Sequence, residues 1–373
     1  MGQAPLDCLV IGGGVIGLAV AREVARKGRS VALLERRSEP GAEATAAAAG
    51  MLAAAAEAHS PGPFFDLARR SADLWPGWAE QLFEESGVDV EYQGGGLLRV
   101  TTSSEVVGDL EIRRAWQLAQ GLKVSGLLGL EELRREVPQL GPDVVAGLHY
   151  PGVAHVHSHR VAEALALAAS RAGVRLQLSA EVTGVRPSGD LLEVTVGAER
   201  HFAHRVVLAT GCWGEPLLRG LGVSLRPEPV RGQMLALRPR GLPLPEIVFG
   251  DHGYVLQKRS GLVLAGATEE RVGYLAETTL EGVAKLAAMA RSLLPDLGPA
   301  EFSGAWAGLR PFLPSGPVIG PLPQDPRVML ALGHFRNGIL LAPVTAQLLG
   351  EALADGQEPA GLTVFSPRHI LGG

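Results

Sequence analysis

Three glycines near the N-terminus have the spacing of a dinucleotide-binding turn. Residues 10–17 read Val-Ile-Gly-Gly-Gly-Val-Ile-Gly, which places Gly12, Gly14 and Gly17 in a Gly-x-Gly-x-x-Gly pattern. In this pattern the first glycine permits a tight turn, the second lets the backbone approach a pyrophosphate, and the third lets a helix pack on a strand. Glu35 follows close to where an acid accepts hydrogen bonds from ribose hydroxyls. These residues therefore predict dinucleotide binding.

The elements around the glycines agree with this interpretation. The apolar residues 9–11 predict a strand, and residues 15–27 predict a helix that stops at Gly28. A second strand, Val31–Leu34, leads to the acid. The helix N-terminus would offer free N–H groups and a positive dipole end to the phosphates. This agreement disfavours a glycine-rich turn without a ligand, but the pattern does not choose between FAD and NAD.

Composition and charge favour a globular enzyme. The 373 residues leave room for two domains, and the 46% hydrophobic and 20% charged fractions are typical of soluble globular proteins. A net charge of −5 and the lack of a basic stripe predict no nucleic-acid partner. Cys8 and Cys212 form neither a disulfide framework nor a CxxC pair, which predicts a cytoplasmic location. We see no signal peptide and no apolar run of membrane-spanning length, so we expect no membrane association.

Three alternating histidines, His155, His157 and His159, are the one candidate metal cluster. In a strand their imidazoles would share one face and could bind a metal. No carboxylate or cysteine joins them, and Ser158 resembles the N-cap of a helix over residues 160–172. Histidines without a further ligand and a supporting partner are common on surfaces, so we expect no metal site.

A strand–helix–strand pattern resumes far from the first one, which predicts a discontinuous first domain. The buried run 205–213 ends in small residues that would let a nucleotide approach closely. Two further helices bear on the site: an alanine-rich helix over residues 41–56, and a last helix over residues 344–355 that Pro343 opens. We assign residues 1–86, 150–222 and 318–373 to the dinucleotide-binding domain, and residues 87–149 and 223–317 to a substrate-binding domain.

Several further segments point to one family. They are Val10-Ile-Gly-Gly-Gly-Val-Ile-Gly-Leu, Ala46-Ala-Ala-Ala-Gly-Met-Leu, Pro229-Val-Arg-Gly-Gln-Met, Gly266-Ala-Thr with Glu270, Trp306-Ala-Gly-Leu-Arg-Pro and Gly333-His-Phe-Arg-Asn-Gly-Ile-Leu-Leu-Ala-Pro. On these segments, and over nearly its whole length, the chain resembles the D-amino-acid-oxidase-like FAD flavoproteins, and among them the glycine oxidases of thiazole biosynthesis. The resemblance implies an α/β fold: a discontinuous Rossmann-like FAD-binding domain with an inserted antiparallel-sheet α+β substrate domain.

The resemblance also implies non-covalent FAD. Neither cysteine falls in residues 306–310, where covalent relatives attach their flavin. It implies that residues 45–51 thread past the flavin diphosphate and ring, which replaces the interpretation as an alanine-rich helix, and that residues 336–340 close over the isoalloxazine. The cofactor-binding residues that it implies are Gly12, Gly14, Val15, Ile16, Gly17, Glu35, Arg36, Thr45, Ala46, Ala48, Gly50, Met51, Val182, Thr210, Gly211, Trp213, Arg310, His334, Arg336, Asn337, Gly338, Ile339 and Leu340.

For the reaction, the resemblance implies oxidative deamination of glycine, sarcosine or small D-amino acids. Hydride passes from Cα to flavin N5, dioxygen is the acceptor, and the products are an imine or glyoxylate, ammonia and hydrogen peroxide. A guanidinium suits the substrate carboxylate because its fork binds both oxygens. By resemblance this residue is Arg310, helped by the Tyr254 hydroxyl, while Met51, His252 and Arg336 line the pocket. The resemblance further implies a homotetramer.

Two departures from the family concern the pocket. Gln257 and Lys258 stand where relatives carry a Pro-Arg pair, and Ser315 replaces an acid in a segment that is one residue shorter. Phe312 is bulky and close to Arg310, which predicts an altered pocket size. Two alternatives stay open at this stage: a dehydrogenase of the same fold that uses an acceptor other than oxygen, and a flavin-binding subunit without catalysis of its own.

Overall fold

The computed structural model describes residues 4–355 and 359–371, which form 19 strands and 11 helices. The strands are β1 (Leu6–Ile11), β2 (Val31–Leu34), β3 (Met51–Leu52), β4 (Gln93–Gly94), β5 (Leu97–Thr101), β6 (Leu128–Gly129), β7 (Ala146–Tyr150), β8 (Ala154–His155), β9 (Arg175–Gln177), β10 (Val182–Ser188), β11 (Leu191–Val196), β12 (Glu199–Leu208), β13 (Glu228–Arg238), β14 (Ile247–Gly250), β15 (Gly253–Gln257), β16 (Val263–Gly266), β17 (Glu301–Phe312), β18 (Val318–Pro321) and β19 (Val328–Leu332). The helices are α1 (Val15–Arg26), α2 (Ala44–Ala47), α3 (Ala54–Glu57), α4 (Pro63–Ser86), α5 (Val107–Ala119), α6 (Leu130–Glu136), α7 (Ser158–Arg171), α8 (Glu215–Gly220), α9 (Leu280–Leu293), α10 (Gly338–Asp355) and α11 (Pro367–Leu371).

The first sheet is built on parallel strands in the order β9-β2-β1-β12-β19. Antiparallel strands β10 and β11 extend it beside β12, and β18 pairs with β19. One face is covered by α1, α4, α7 and α10 around a core that includes Leu18, Trp75 and Leu341. Parallel strands need helical crossovers and burial on both faces, which accounts for their continuous apolar sequences. The predicted Rossmann-like sheet is confirmed.

The second sheet has the order β17-β13-β16-β15-β14-β5-β7-β6. Its strand pairs are antiparallel except for β14 and β5. One face packs on α6 and α9, and the other carries Met234, Phe249 and Tyr254 toward the first sheet. The predicted α+β substrate domain with an antiparallel sheet is therefore confirmed as a fold. Its boundaries remain a prediction, and the assigned residues 1–3, 356–358 and 372–373 lie outside the described residues.

The predicted alanine-rich helix over residues 41–56 is wrong, because this segment contains two short helices with non-helical residues between them. Only α2 and α3 are helical, with Ala48–Gly50 extended between them and β3 pairing with β8. Gly50 has φ +82°, and an added Cβ would lie 2.1 Å from the Val156 carbonyl oxygen. Tertiary contacts thus override the helix propensity of alanine here.

The last helix begins earlier than predicted, at Gly338 rather than near residue 344, and Pro343 lies inside it. Proline has no N–H to donate and disturbs the regular helical pairing around it. Donors of α4 compensate: the Leu340 carbonyl accepts from the Ser71 hydroxyl at 2.6 Å and from the Trp75 indole N–H at 3.0 Å. The Val344 N–H donates back to the Ser71 hydroxyl. These partners lie more than 260 residues away, outside the reach of a local pattern.

Ser158 is not the N-cap of α7, since His157 precedes the helix and Ser158 is its first residue. The Ser158 hydroxyl instead donates to the Ala48 carbonyl at 2.6 Å, which ties α7 to the extended segment.

Among the described residues, no helix combines the length and apolar character that crossing a membrane would take.

Candidate functional site

A cavity of about 1390 Å³ lies where the carboxyl ends of the parallel strands meet the inner face of the second sheet. Ile11, Leu34 and Leu332, which end three of those strands, line it, and so do Phe249 and Tyr254 of the second sheet. In open α/β sheets, ligands bind in the crevice outside the carboxyl ends of the strands. The cavity therefore occupies the expected place for a ligand.

The glycine-rich turn forms one end of this cavity. Gly12 has φ +108°, and an added Cβ would lie 2.4 Å from the Ala209 carbonyl oxygen. Gly17 does not line the cavity, but an added Cβ there would lie 1.9 Å from the Gly12 carbonyl oxygen. Gly14 is the N-cap of α1, and the N–H of Val15 donates to the Thr45 hydroxyl at 3.0 Å. Gly12 and Gly17 thus make room for backbone, as their positions in the pattern predict, whereas an added Cβ at Gly14 would meet only the Thr45 hydroxyl at 3.5 Å.

Glu35 is buried beside the turn and is held by two backbone donors. Its carboxylate accepts from the Gly13 N–H at 2.6 Å and from the Arg37 N–H at 2.7 Å. Next to it, the Arg36 guanidinium lies 3.8 Å from the Trp213 ring centroid and pairs with Glu43 at 2.6 Å. Backbone donors fix the position of the acid, while Arg36 and Trp213 form a flat wall nearby.

The extended segment at residues 48–51 lies along the middle of the cavity and is held by donors from the second sheet. The Trp306 indole N–H donates to the Ala47 carbonyl at 3.2 Å. Buried Lys258 donates from Nζ to the carbonyls of Ala49 at 2.6 Å and Val156 at 2.8 Å. Burial lowers the pKa of Lys258 to about 7. This residue, which departs from the family pattern, therefore ties the end of β15 to the segment at residues 48–51 and to the residue after β8.

We expect Lys258→Met to lower the free energy of unfolding by about 1–3 kcal/mol for each carbonyl left without a donor. Lys285→Met is the matched control, because Lys285 is exposed and makes only an i,i+4 pair with Glu281. Exposed pairs of this kind contribute little to the free energy of unfolding. Urea unfolding of the holoprotein measures both changes, and equal midpoints for the two variants would contradict the anchoring role.

The start of α10 lines the cavity from the opposite side. Phe335–Asn337 form a 3-10 turn, and Asn337, Gly338 and Ile339 then present the helix N-terminus to the cavity. Buried His334 lies before the turn, with Nε2 3.1 Å from the Thr345 hydroxyl. Burial lowers the pKa of His334 to about 3.

A second buried histidine, His155, lies at the end of β8, and its Nδ1 is 3.3 Å from Lys258 Nζ. The pKa of His155 is lowered to about 3 by burial and then by the charge of the lysine.

These two histidines predict a loss of stability in acid. Their unfolded pKa is about 6.5, so the unfolded chain takes up protons below that pH while the folded chain does not. Their contribution to the free energy of unfolding is fully present above pH 6.5 and is lost as the pH falls toward 3. We expect the free energy of unfolding to fall by ~2 kcal/mol per histidine when the pH is lowered from 8 to 5. Urea unfolding at several pH values measures this fall. His155→Gln should reduce this pH dependence, whereas exposed His159→Gln should not; equal slopes would contradict the assignment.

The other end of the cavity carries Arg310 and Tyr254. The Arg310 guanidinium passes over Gly232, where an added Cβ would lie 2.2 Å from its Cζ, and donates to the Thr268 carbonyl at 3.0 Å. Burial lowers the pKa of Arg310. The buried Tyr254 hydroxyl donates to the Met234 sulfur at 3.6 Å, and burial raises the pKa of Tyr254 to about 12. The cationic Arg310 guanidinium and the neutral Tyr254 phenol therefore lie at the same end of the cavity.

Arg336 is bound to two acids at the same end. Its guanidinium lies 3.0 Å from Glu57 and 3.6 Å from Glu269. Burial alone would lower the pKa of Arg336, but the two carboxylates raise it overall. Exposed His252 also lines the cavity, as does partly buried Met51. Glu57 was missed by sequence reasoning; its position at the end of an alanine run was the only available signal.

The structure gathers most of the predicted site residues around this one cavity. Three of them do not line it: Gly17, which packs α1 on the turn, Ala46, and Leu340, whose carbonyl is held by α4. Phe312, which was expected to change the pocket size, does not line it either, because its ring packs on Phe335 at 5.1 Å. Sequence reasoning noted Lys258 only as a departure from the family and did not consider Arg99, which lies in none of the family segments.

The sequence matches one protein family over most of its length. The match to DAO, described as FAD dependent oxidoreductase, covers residues 7–352. This chain belongs to the DAO family of FAD-dependent oxidoreductases. Glycine oxidase of Geobacillus kaustophilus is 35% identical over 98% of this chain and 97% of that protein. A crystal structure of glycine oxidase from the same organism superposes with a TM-score of 0.93, at 32% identity and 98% coverage of each chain.

Two further relatives of this FAD-dependent oxidoreductase bear on its function. Glycine oxidase of Bacillus subtilis is 33% identical over 93% of this chain and 92% of that protein. The bifunctional protein ThiO/ThiG of Synechocystis is 34% identical over 99% of this chain but only 55% of that protein, so this chain spans about half its length.

The cavity of this FAD-dependent oxidoreductase fits its cofactor. Gly12 and Gly14 leave the space that a pyrophosphate needs, and α1 directs its N-terminus there. Glu35 is fixed where a ribose would lie, and Val182, Thr210 and Gly211 line the same end. Neither cysteine offers a covalent link at the other end: Cys8 does not line the cavity, and Cys212 lies beside Trp213.

Proposed function

We propose that this protein catalyses the FAD-dependent oxidative deamination of glycine, and of sarcosine or small D-amino acids. The observation that carries the proposal is the Arg310 guanidinium, which is half-buried at the cavity end beside Tyr254 and has no ion pair with a carboxylate of the described residues. A guanidinium there can bind a substrate carboxylate through two parallel hydrogen bonds. The glycine oxidases named above, similar over nearly the whole chain, support glycine as the substrate.

The residues around Arg310 have positioning roles in this proposal. Neutral Tyr254 exchanges its hydrogen bond to the Met234 sulfur for one to the substrate carboxylate, and Arg336, held by Glu57, limits the size of the pocket. Met51 and His252 complete the wall. Together these groups hold the amino acid so that its Cα–H bond keeps one fixed orientation. A fixed orientation of the reacting bond is the main requirement for fast hydride transfer from Cα. No general base is required when the amine binds in its neutral form.

FAD supplies the chemistry when bound: its N5 accepts hydride from Cα, and dioxygen then takes the electrons to give hydrogen peroxide. The backbone N–H groups at the start of α10 face the cavity and favour negative charge there. The segment at residues 48–51, tied by Lys258 and Ser158, keeps the cavity wall fixed. The cofactor-binding residues predicted from the sequence are proposed to hold FAD without a covalent link.

Three finer points belong to the same proposal. The ThiO/ThiG similarity supports release of the imine to thiazole formation, in the cell or within a complex. Two free, buried cysteines fit a reducing cytoplasm. We also propose a homo-oligomer, a tetramer by resemblance. A dehydrogenase that avoids oxygen and a non-catalytic subunit are the alternatives, and no observation favours either over the oxidase.

Anaerobic titration of the purified holoprotein with glycine tests the proposal. We expect glycine to bleach the visible flavin band, D-alanine to bleach it more weakly, and air to restore it with hydrogen peroxide formed. If glycine bleaches the flavin band and the band returns with another electron acceptor but not with air, the protein is a dehydrogenase. No bleaching with any amino acid would leave only the non-catalytic subunit.

A further inference from the structure

A loop over residues 271–278, named the strap from here on, leaves the second sheet between β16 and α9. The strap does not line the cavity, although Glu270 before it and Thr279 after it do. All of its residues except Val272 are exposed. The strap therefore runs outside the cavity wall.

Two side chains of β13 hold the ends of the strap. Arg231 pairs with Glu270 and also donates to the Glu277 carbonyl at 3.0 Å. Gln233 donates to the Glu270 carboxylate at 2.8 Å and accepts from the Thr279 N–H at 2.8 Å. Compact surface loops whose ends are held close together are frequently functional. These hydrogen bonds confine motion of the strap to the residues between its two ends.

Tyr274, in the middle of the strap, contacts residues that follow the first sheet. Its hydroxyl donates to the Cys212 carbonyl at 2.9 Å, and its ring centroid lies 4.6 Å from that of Trp213. Both partners belong to the 3-10 turn Gly211–Trp213, which follows β12. The contacts of Tyr274 thus join the two parts of the molecule that enclose the cavity. Tyr274 is 47% exposed, so separating these contacts uncovers little additional apolar surface.

Trp213 forms part of the cavity wall at the end where Glu35 is fixed. Cys212 and Trp213 line the cavity, whereas Tyr274 does not, so Tyr274 contacts this wall from outside the cavity. The Arg36 guanidinium lies 3.8 Å from the Trp213 ring centroid and also lines the cavity. Cation–π and aromatic contacts both favour a defined ring position. The position of this wall therefore depends on the strap as well as on Arg36.

We propose that the strap is a clasp for the cofactor: Tyr274 holds the wall at Trp213 closed over the nucleotide end of the cavity, and its contacts must open before FAD can leave. Tyr274 is a positioning residue in this proposal, because it contacts Trp213 from outside the cavity. Segments with few buried contacts open locally at much less than the free energy of global unfolding. The clasp therefore lets FAD leave without unfolding of the protein, and it concerns retention of the cofactor rather than the choice of substrate.

The rate of FAD release from the holoenzyme, followed by flavin fluorescence after rapid dilution, tests the clasp. We expect Tyr274→Ala to release FAD about tenfold faster than the parent, because it loses both the ring contact and the hydrogen bond. Tyr274→Phe keeps the ring and should release FAD about threefold faster. Leu275→Ala truncates the exposed neighbour in the same strap and should leave the rate unchanged. An unchanged rate in Tyr274→Ala, or equal acceleration by Leu275→Ala, would overturn the proposal.

The urea dependence of FAD release separates local opening from unfolding. Because opening the clasp exposes little surface, the release rate of the parent should change only weakly with urea below the unfolding transition. A release rate that rises with urea as steeply as the rate of global unfolding would show that FAD leaves by unfolding, and the clasp would be refuted. Both measurements are made without substrate. Failure of glycine oxidation would therefore leave the clasp standing, and failure of the clasp would leave the proposed function standing.

Discussion

Arg310→Met is expected to lower kcat/KM for glycine by about 1,000-fold. Truncating one partner of a buried, hydrogen-bonded charge pair costs about 2–5 kcal/mol, and the substrate carboxylate would lose both arms of the fork. Arg310 lies over Gly232, where even a Cβ would leave no room for the guanidinium, so its direction is set by the strand beside it. The methionine variant keeps an unbranched apolar stem and removes the guanidinium. Stopped-flow reduction of the flavin by glycine measures the loss.

Arg310→Lys is the matched variant, because it keeps the charge and removes the planar fork. We expect it to recover part of the activity and to raise KM more than it lowers kcat. The FAD content of both variants, read from the visible spectrum, separates loss of substrate binding from loss of cofactor. If Arg310→Met retained full activity with glycine, the proposed role of Arg310 in binding the substrate carboxylate would be wrong.

Gly17→Ala is expected to prevent stable folding of the FAD-binding domain. An added Cβ would lie 1.9 Å from the Gly12 carbonyl oxygen and 3.3 Å from the Ala209 side chain, and neither backbone can move without opening the turn. Overpacking of this kind costs about 3 kcal/mol or more when backbone is the obstacle. We expect little soluble holoprotein, and a urea midpoint far below that of the parent in whatever remains.

Gly77→Ala is the matched control for Gly17→Ala. Gly77 is exposed inside α4, and no heavy atom lies within 4 Å of an added Cβ. Alanine has the higher helix propensity, so the substitution should stabilise the protein by about 0.5–1 kcal/mol. If Gly17→Ala and Gly77→Ala shifted the urea midpoint equally, close packing of α1 on the turn would be refuted.

Local sequence patterns were enough for the elements whose partners are close in the chain. The helix Val15–Arg26, the strand Val31–Leu34 and the acid after it follow from glycine spacing, apolar runs and a helix stop. All of these features lie within 30 residues and depend on steric rules that hold in any fold. The family segments near Arg310 and Arg336 extended the prediction to FAD and to the fold.

The remaining features depend on contacts between residues far apart in the chain, which no local pattern records. The start of α10 at Gly338 depends on donors from α4, and the extended segment at residues 48–51 depends on Lys258 and Ser158. The end of the cavity with Arg310 and Tyr254 exists only because β17 and β15, from separate parts of the chain, join one sheet through β13 and β16. The sequence alone thus determined the dinucleotide turn and the family, since short-range sterics encode them. Only the tertiary structure decided the shape and charge of the cavity, because long-range hydrogen bonds and strand pairing create both.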